Sequence, residues 1–101
     1  MLAKNPEMQV RAAQLKIAPA SRCFSHAEAC RVSGQAMSDK ARRILIDLTS
    51  ADDATTSAFA QLILLRRTLL SLGRDLCLTG LRDRTAGVFD VNRLGAVLPI
   101  A

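Results

Sequence analysis

Three neighbouring hydroxyls, Thr55, Thr56 and Ser57, follow the acid pair Asp52-Asp53 at the end of a loop after a strand, where function tends to sit in open α/β sheets. They stand between a small, polar stretch and an apolar run of helical character, which puts them at a helix start. A helix N-terminus leaves backbone amides without partners and carries the positive end of the dipole, so a phosphate is favoured there. A phosphate on one of these hydroxyls would add roughly −1.5 to −2 charge. Asp52 and Asp53 beside it would sharpen that change by like-charge repulsion. The same position suits a helix N-cap, a role for which Thr is preferred, and Thr55 or Thr56 fills it on that reading.

Catalytic and metal chemistry have little to work with. Cys23, Cys30 and Cys77 show no C-x-x-C spacing, and the lone His26 completes no ligand set with them. Cys23 and Cys30, seven apart, would share one stripe of a helix, and all three thiols read as small buried hydrophobes in a reducing, cytoplasmic setting. Ser25 beside His26 is a neighbour pair rather than a triad, because such constellations are made by geometry and not by adjacency. A phosphate-cradling G-x-x-x-x-G-K run is absent. The expectation is a protein that is not an enzyme, with no cofactor and no metal.

Net charge is +5, from fourteen Lys and Arg against nine Asp and Glu. Arg42-Arg43, Arg66-Arg67, Arg74 and Arg82/Arg84 are dispersed, and no block of like charge appears. They read as a solvated basic surface rather than a nucleic-acid interface. The three aromatics, Phe24, Phe59 and Phe89, offer no platform for stacking bases. The longest apolar stretch, 58–65, is broken by Gln61 and falls far short of the ~20 residues that span a bilayer, so no membrane insertion is expected.

The chain must position those hydroxyls with one small domain of 101 residues, half of them apolar. Residues 1–8 read as a frayed N-terminus and 9–101 as the domain. Val10, Leu15 and Ile17 beat through 9–18 as one or two short strands, ended by Pro19. Ser25 to Glu28 reads as a capping box for a helix over 26–38, with Ala27, Cys30 and Met37 near one side and Ala29, Val32 and Ala36 beside it. The run 42–48 is a strand covered on both faces, and 49–56 a loop at its carboxyl end. A helix over 57–72 carries Phe59, Leu62, Ile63, Leu65, Leu69, Leu70 and Leu72 on a broad apolar face. Arg66 and Arg67 lie opposite, and Gly73 stops it. A buried strand at 76–79, a helix over 81–91 and an extended segment at 96–100 complete the chain. Strand–helix–strand–helix implies parallel pairing, hence a small α/β layer sandwich with a mostly parallel sheet of about four strands.

In order and spacing, the strand at 44–49, the polar loop, the helix closed by Leu72-Gly73, the strand at 75–78 and the end segment Asn92-Arg93-Leu94 with Val97-Leu98-Pro99-Ile100 resemble the STAS domain. That is the family of anti-sigma factor antagonists and related modules. The resemblance is good over 44–101 and looser over 9–43. It implies a cytoplasmic, bacterial binding module switched at a hydroxyl where the helix after the central strand begins. The family's motif there runs Asp, two hydroxyl residues, Gly, Leu; this chain has Thr55-Thr56-Ser57-Ala58-Phe59. Thr56 matches the phosphorylated hydroxyl and Ser57 the one beside it, while Thr55 replaces the acid and Ala58 the glycine. The implied partner is an anti-sigma factor of kinase type, met by Asp52, Asp53, Thr55, Thr56 and Ser57. The alternative is a STAS subunit clamping the ATPase of a bacterial lipid ABC-transport complex. Either reading is compatible with homodimerisation.

Overall fold

The computed structural model describes residues 14–101, so the expectations for residues 1–13, including the frayed start and the first beat of the strand at Val10, lie outside the described residues. The elements run β1 (Gln14–Ile17), β2 (Cys23–Phe24), α1 (His26–Ser38), β3 (Arg43–Asp47), β4 (Asp53–Ala54), α2 (Thr56–Ser71), β5 (Asp75–Thr79) and α3 (Asp83–Val91), then a 3₁₀ turn at Leu94–Ala96. β1, β3 and β5 form a parallel sheet in the order β1-β3-β5. β2 and β4 form a separate parallel ladder, with Cys23 opposite Asp53 and Phe24 opposite Ala54. Beyond the three sheet strands, Ile100 makes a single parallel bridge to Leu78, so the extended end segment pairs at one residue only. The expected small α/β domain with a mostly parallel sheet is what folds.

Register sets the core. Ile44 lies level with Leu15 and Leu76, and Ile46 with Ile17 and Leu78, so these side chains share one face of the sheet. Ile17, Ile44, Ile46, Leu76 and Leu78 are buried there with Phe59, Leu62, Leu65 and Leu69 of α2 and Ala29, Val32 and Ala36 of α1. The small residues of α1 let it lie close on α2. All three aromatics join: Phe59 meets Phe24 at 5.9 Å and Phe89 at 5.7 Å, both edge to face, tying β2, α2 and α3 together.

Several expectations are corrected. The opposite face of the sheet, carrying Arg43, Leu45, Asp47, Asp75, Cys77 and Thr79, is exposed or half-buried, so β3 is fully covered on one face and not two. Leu70 and Leu72 point away from the core, 49% and 55% exposed, because α2 turns a narrower stripe to the sheet than its leucine content suggests. Arg66 is not on a solvated back face: it pairs with Asp75 at 2.9 Å and donates to the Val97 carbonyl at 3.0 Å. Cys23 and Cys30 share no helix, since Cys23 lies in β2. Cys30 is exposed while Cys23 and Cys77 are half-buried, so none is a core thiol.

Caps define the helix ends. Ser25 Oγ accepts from the Glu28 amide at 3.3 Å, which is half of the expected box. The other half is redirected, because the Glu28 carboxylate accepts from the Ala20 amide at 2.9 Å and pairs with Arg31. Those contacts, the Ala20 amide first, hold its pKa below the usual range. α2 ends as expected: Gly73 takes φ +73, and the Arg74 amide reaches back to the Leu69 carbonyl at 2.8 Å.

Candidate functional site

The loop between β3 and α2 starts from a tied knot. Asp47 accepts from the Thr49 hydroxyl at 2.5 Å and the Thr49 amide at 3.0 Å and lies 3.4 Å from Lys16. The Thr49 hydroxyl, its amide and Lys16 together hold the Asp47 carboxyl below its ordinary pKa. Across the knot lies Gly80, with φ +77. A Cβ there would sit 2.7 Å from the Thr49 amide nitrogen and 2.9 Å from Asp47 Oδ1. Arg82 Nε closes the arrangement by donating to the Thr49 carbonyl at 2.5 Å.

Further along, the loop that was expected to be irregular contains β4. Paired with β2, it sets the two following helices side by side. Phe24 O accepts from the Thr55 amide at 3.1 Å, so the starts of α1 and α2 lie abreast, each capped by a hydroxyl residue. Of the two candidate caps, Thr55 is the one used: its Oγ1 accepts from the Ala58 amide at 3.2 Å and lies 3.1 Å from Ser57 Oγ. Thr56 takes no part in the cap and is exposed in the first turn.

Thr56 lines an open groove of about 590 Å³ with Asp53, Arg84, Gly87, Val88, Val91 and Asn92. One wall is the first turn of α2 and the other is α3. Val91, 82% exposed, is its most accessible apolar side chain. The α3 wall is pinned to the loop by two bonds. The buried Thr85 hydroxyl donates to the Ala51 carbonyl at 2.9 Å, and the Arg84 amide donates to the Asp52 carbonyl at 3.1 Å.

The candidate residues therefore divide. Asp53, Thr56 and the Thr55–Ser57 hydroxyl pair surround the helix start. Asp52 turns to Arg22, which it meets at 2.8 Å, and is no lining residue of the groove. Neither acid stands bare beside Thr56, since Arg84 lies 4.0 Å from Asp53. Sequence reasoning missed the α3 contribution. Arg84, Val88 and Val91 sit some thirty residues away in the chain, and a basic Arg82-x-Arg84 pair at the start of a short helix is the visible signal. Among the described residues no group of three His, Cys, Asp or Glu is placed to hold a metal ion. No described helix is long and apolar enough to cross a membrane.

Neither a family model nor a curated protein matches the chain. Solved structures do match it, two of which show the likeness. One is a sulfate transporter family protein from Wolinella succinogenes, with a TM-score of 0.70 and 15% identity over 85% of this chain and 71% of that one. The other is the protein TM1081, solved by NMR, with a TM-score of 0.69 and 12% identity over 88% of this chain and 74% of that one. At this identity the likeness is one of fold.

Proposed function

We propose that the chain is a non-enzymatic, cytoplasmic regulatory domain of STAS type, an anti-sigma factor antagonist that binds an anti-sigma factor through the groove between α2 and α3. The observation that carries this reading is Thr56. Its exposed hydroxyl sits at a capped helix start, within a groove that is apolar at Val88 and Val91 and charged at Asp53 and Arg84. A kinase transferring a phosphoryl group from ATP to Thr56 Oγ1 would place roughly −1.5 to −2 charge at the mouth of that groove. The helix amides and Arg84 accommodate the phosphate, while a partner seated on the unmodified surface meets a bulky anion in its footprint.

A second reading has one observation in its favour. Where the family motif has an acid, Thr55 is fully engaged in capping, and Ala58 replaces the glycine and is buried. A STAS subunit that clamps the ATPase of a lipid ABC-transport complex needs no phosphorylation and tolerates both changes.

The test is binding of Thr56→Glu and Thr56→Ala to a co-purified partner, measured by calorimetry. Thr56→Ala is expected to bind within about two-fold of wild type and Thr56→Glu at least about ten-fold more weakly. Equal binding by the two variants removes the phospho-switch, and co-isolation with a membrane-bound ATPase favours the second reading.

A further inference from the structure

The cations of the molecule differ in whether a carboxylate meets them. Lys16, Arg22, Arg31, Arg66, Arg82 and Arg84 each lie against a carboxylate. Lys40, Arg42, Arg43, Arg67, Arg74 and Arg93 have no such partner among the described residues, and four of them, Lys40, Arg42, Arg43 and Arg74, belong to the end of the sheet where β3 and β5 begin, opposite the Thr56 groove. Arg74 is occupied, donating to the carbonyls of Ala41 at 2.7 Å and Ala36 at 2.9 Å. Arg42 and Arg43 are exposed and uncommitted. They line an open groove of about 460 Å³ with Leu70, Gly73, Arg74 and Asp75. Asp75, the one carboxylate lining the groove, is held by Arg66 through both oxygens, at 2.9 and 3.3 Å, and feels the charge of Arg43 without an ion pair to it, so the three arginines of the lining outnumber it. Leu70 is half exposed, and the space in front of Gly73 is open for 4 Å.

We propose that this groove docks an acidic segment of a protein partner, with carboxylates on Arg42 and Arg43 and an apolar side chain against Leu70 and the bare backbone of Gly73. Charge complementarity sets the sign of the partner, since Arg guanidinium groups without an internal carboxylate pair best with carboxylates from outside. The concave shape sets its kind. A flat bilayer cannot enter a groove, and among the described residues the cations here without a partner, Lys40, Arg42 and Arg43, are fewer than the about four to eight of a polybasic membrane segment. The exposed Leu70 gives an amphipathic peptide an anchor that a merely acidic one lacks. This surface is independent of the Thr56 groove, and the domain would then hold two partners at once, one at each end of its strands.

The probe is a fluorescein-labelled hexapeptide of alternating Glu and Leu, with a Gln-for-Glu counterpart, followed by fluorescence anisotropy at physiological salt. The acidic peptide is expected to bind at least about ten-fold more tightly than its neutral counterpart, and Arg42→Gln and Arg43→Gln are each expected to weaken it about five-fold. Arg93→Gln removes the same charge from an exposed turn and should change binding less than about two-fold. Thr56→Glu should leave it unchanged, so loss of this site and loss of the phospho-switch are separable. The proposal is overturned if Arg93→Gln weakens binding as much as Arg42→Gln, which would mean net charge alone. It is equally overturned if both peptides bind alike, or if phosphatidylglycerol vesicles bind more tightly than the acidic peptide.

Discussion

Gly80 shows how one missing methyl group can hold a loop in place. Its positive φ is one that L side chains rarely adopt, and its Cα lies where any Cβ would collide with the Thr49 backbone and the Asp47 carboxylate. Gly34, in the exposed face of α1, has an ordinary helical backbone and nothing within 4 Å. The two therefore make a controlled pair. Gly80→Ala should cost about 3 kcal/mol, from backbone strain added to overpacking. Gly34→Ala should gain about 0.5–1 kcal/mol by lowering the entropy of the unfolded chain. Urea denaturation of both variants checks this, and a Gly80→Ala loss below that of an ordinary surface change would contradict the tight knot. The cost of Gly34 is legible from its place inside a helical run, but the role of Gly80 is not, since a glycine between a strand and a helix signals a turn but not what crosses it.

Between elements, the strongest polar tie is Arg66, which fastens α2 to the start of β5 through Asp75 and to the end segment through Val97. The Asp75 carboxyl is held below its ordinary pKa, first by the Arg66 hydrogen bond; burial opposes this next, and the Leu76 amide and the charges of Arg66 and Arg43 add to the lowering. A carboxylate with a lowered folded-state pKa adds stability that is fully present above its unfolded value, near 3.9, and is lost as pH falls through the folded value. Asp47 behaves in the same way. Stability should therefore fall below about pH 4, and Asp75→Asn should flatten part of that acid limb while lowering stability at neutral pH. Thermal melts between about pH 2 and 7 measure both. Asp75 is partly solvated, so the effect on the whole domain stays modest. Sequence alone placed Arg66 opposite the core because helical periodicity counts residues on α2 and is blind to the carboxylate that β5 delivers.

For the molecule as a whole, the three phenylalanines are the joint at which its parts meet. Phe59 is fully buried between Phe24 and Phe89, so truncating it opens a cavity shared by β2, α2 and α3. Phe59→Ala is expected to cost about 3–5 kcal/mol, a large fraction of the about 5–15 kcal/mol typical of a domain, and Phe59→Leu markedly less. Loss of cooperative unfolding in the alanine variant, followed by near-ultraviolet circular dichroism, is the expected signature. Much of this plan was legible beforehand. The order of β3, α2, β5 and α3, the Ser25 cap and the Gly73 stop follow from apolar period and local chemistry, which act within a few residues. The β2–β4 ladder was not legible, because two paired residues in a polar loop leave no period to detect. The α3 wall of the groove was missed for a related reason, being brought to Thr56 by tertiary packing alone. That short ladder has a practical consequence. Because the Thr55 amide donates to the Phe24 carbonyl, the residues that lead into α1 and α2 are tied to each other. A fluorophore on the exposed Cys30, one turn into α1, would sense a disturbance at Thr56 from outside the groove and leave the groove itself free.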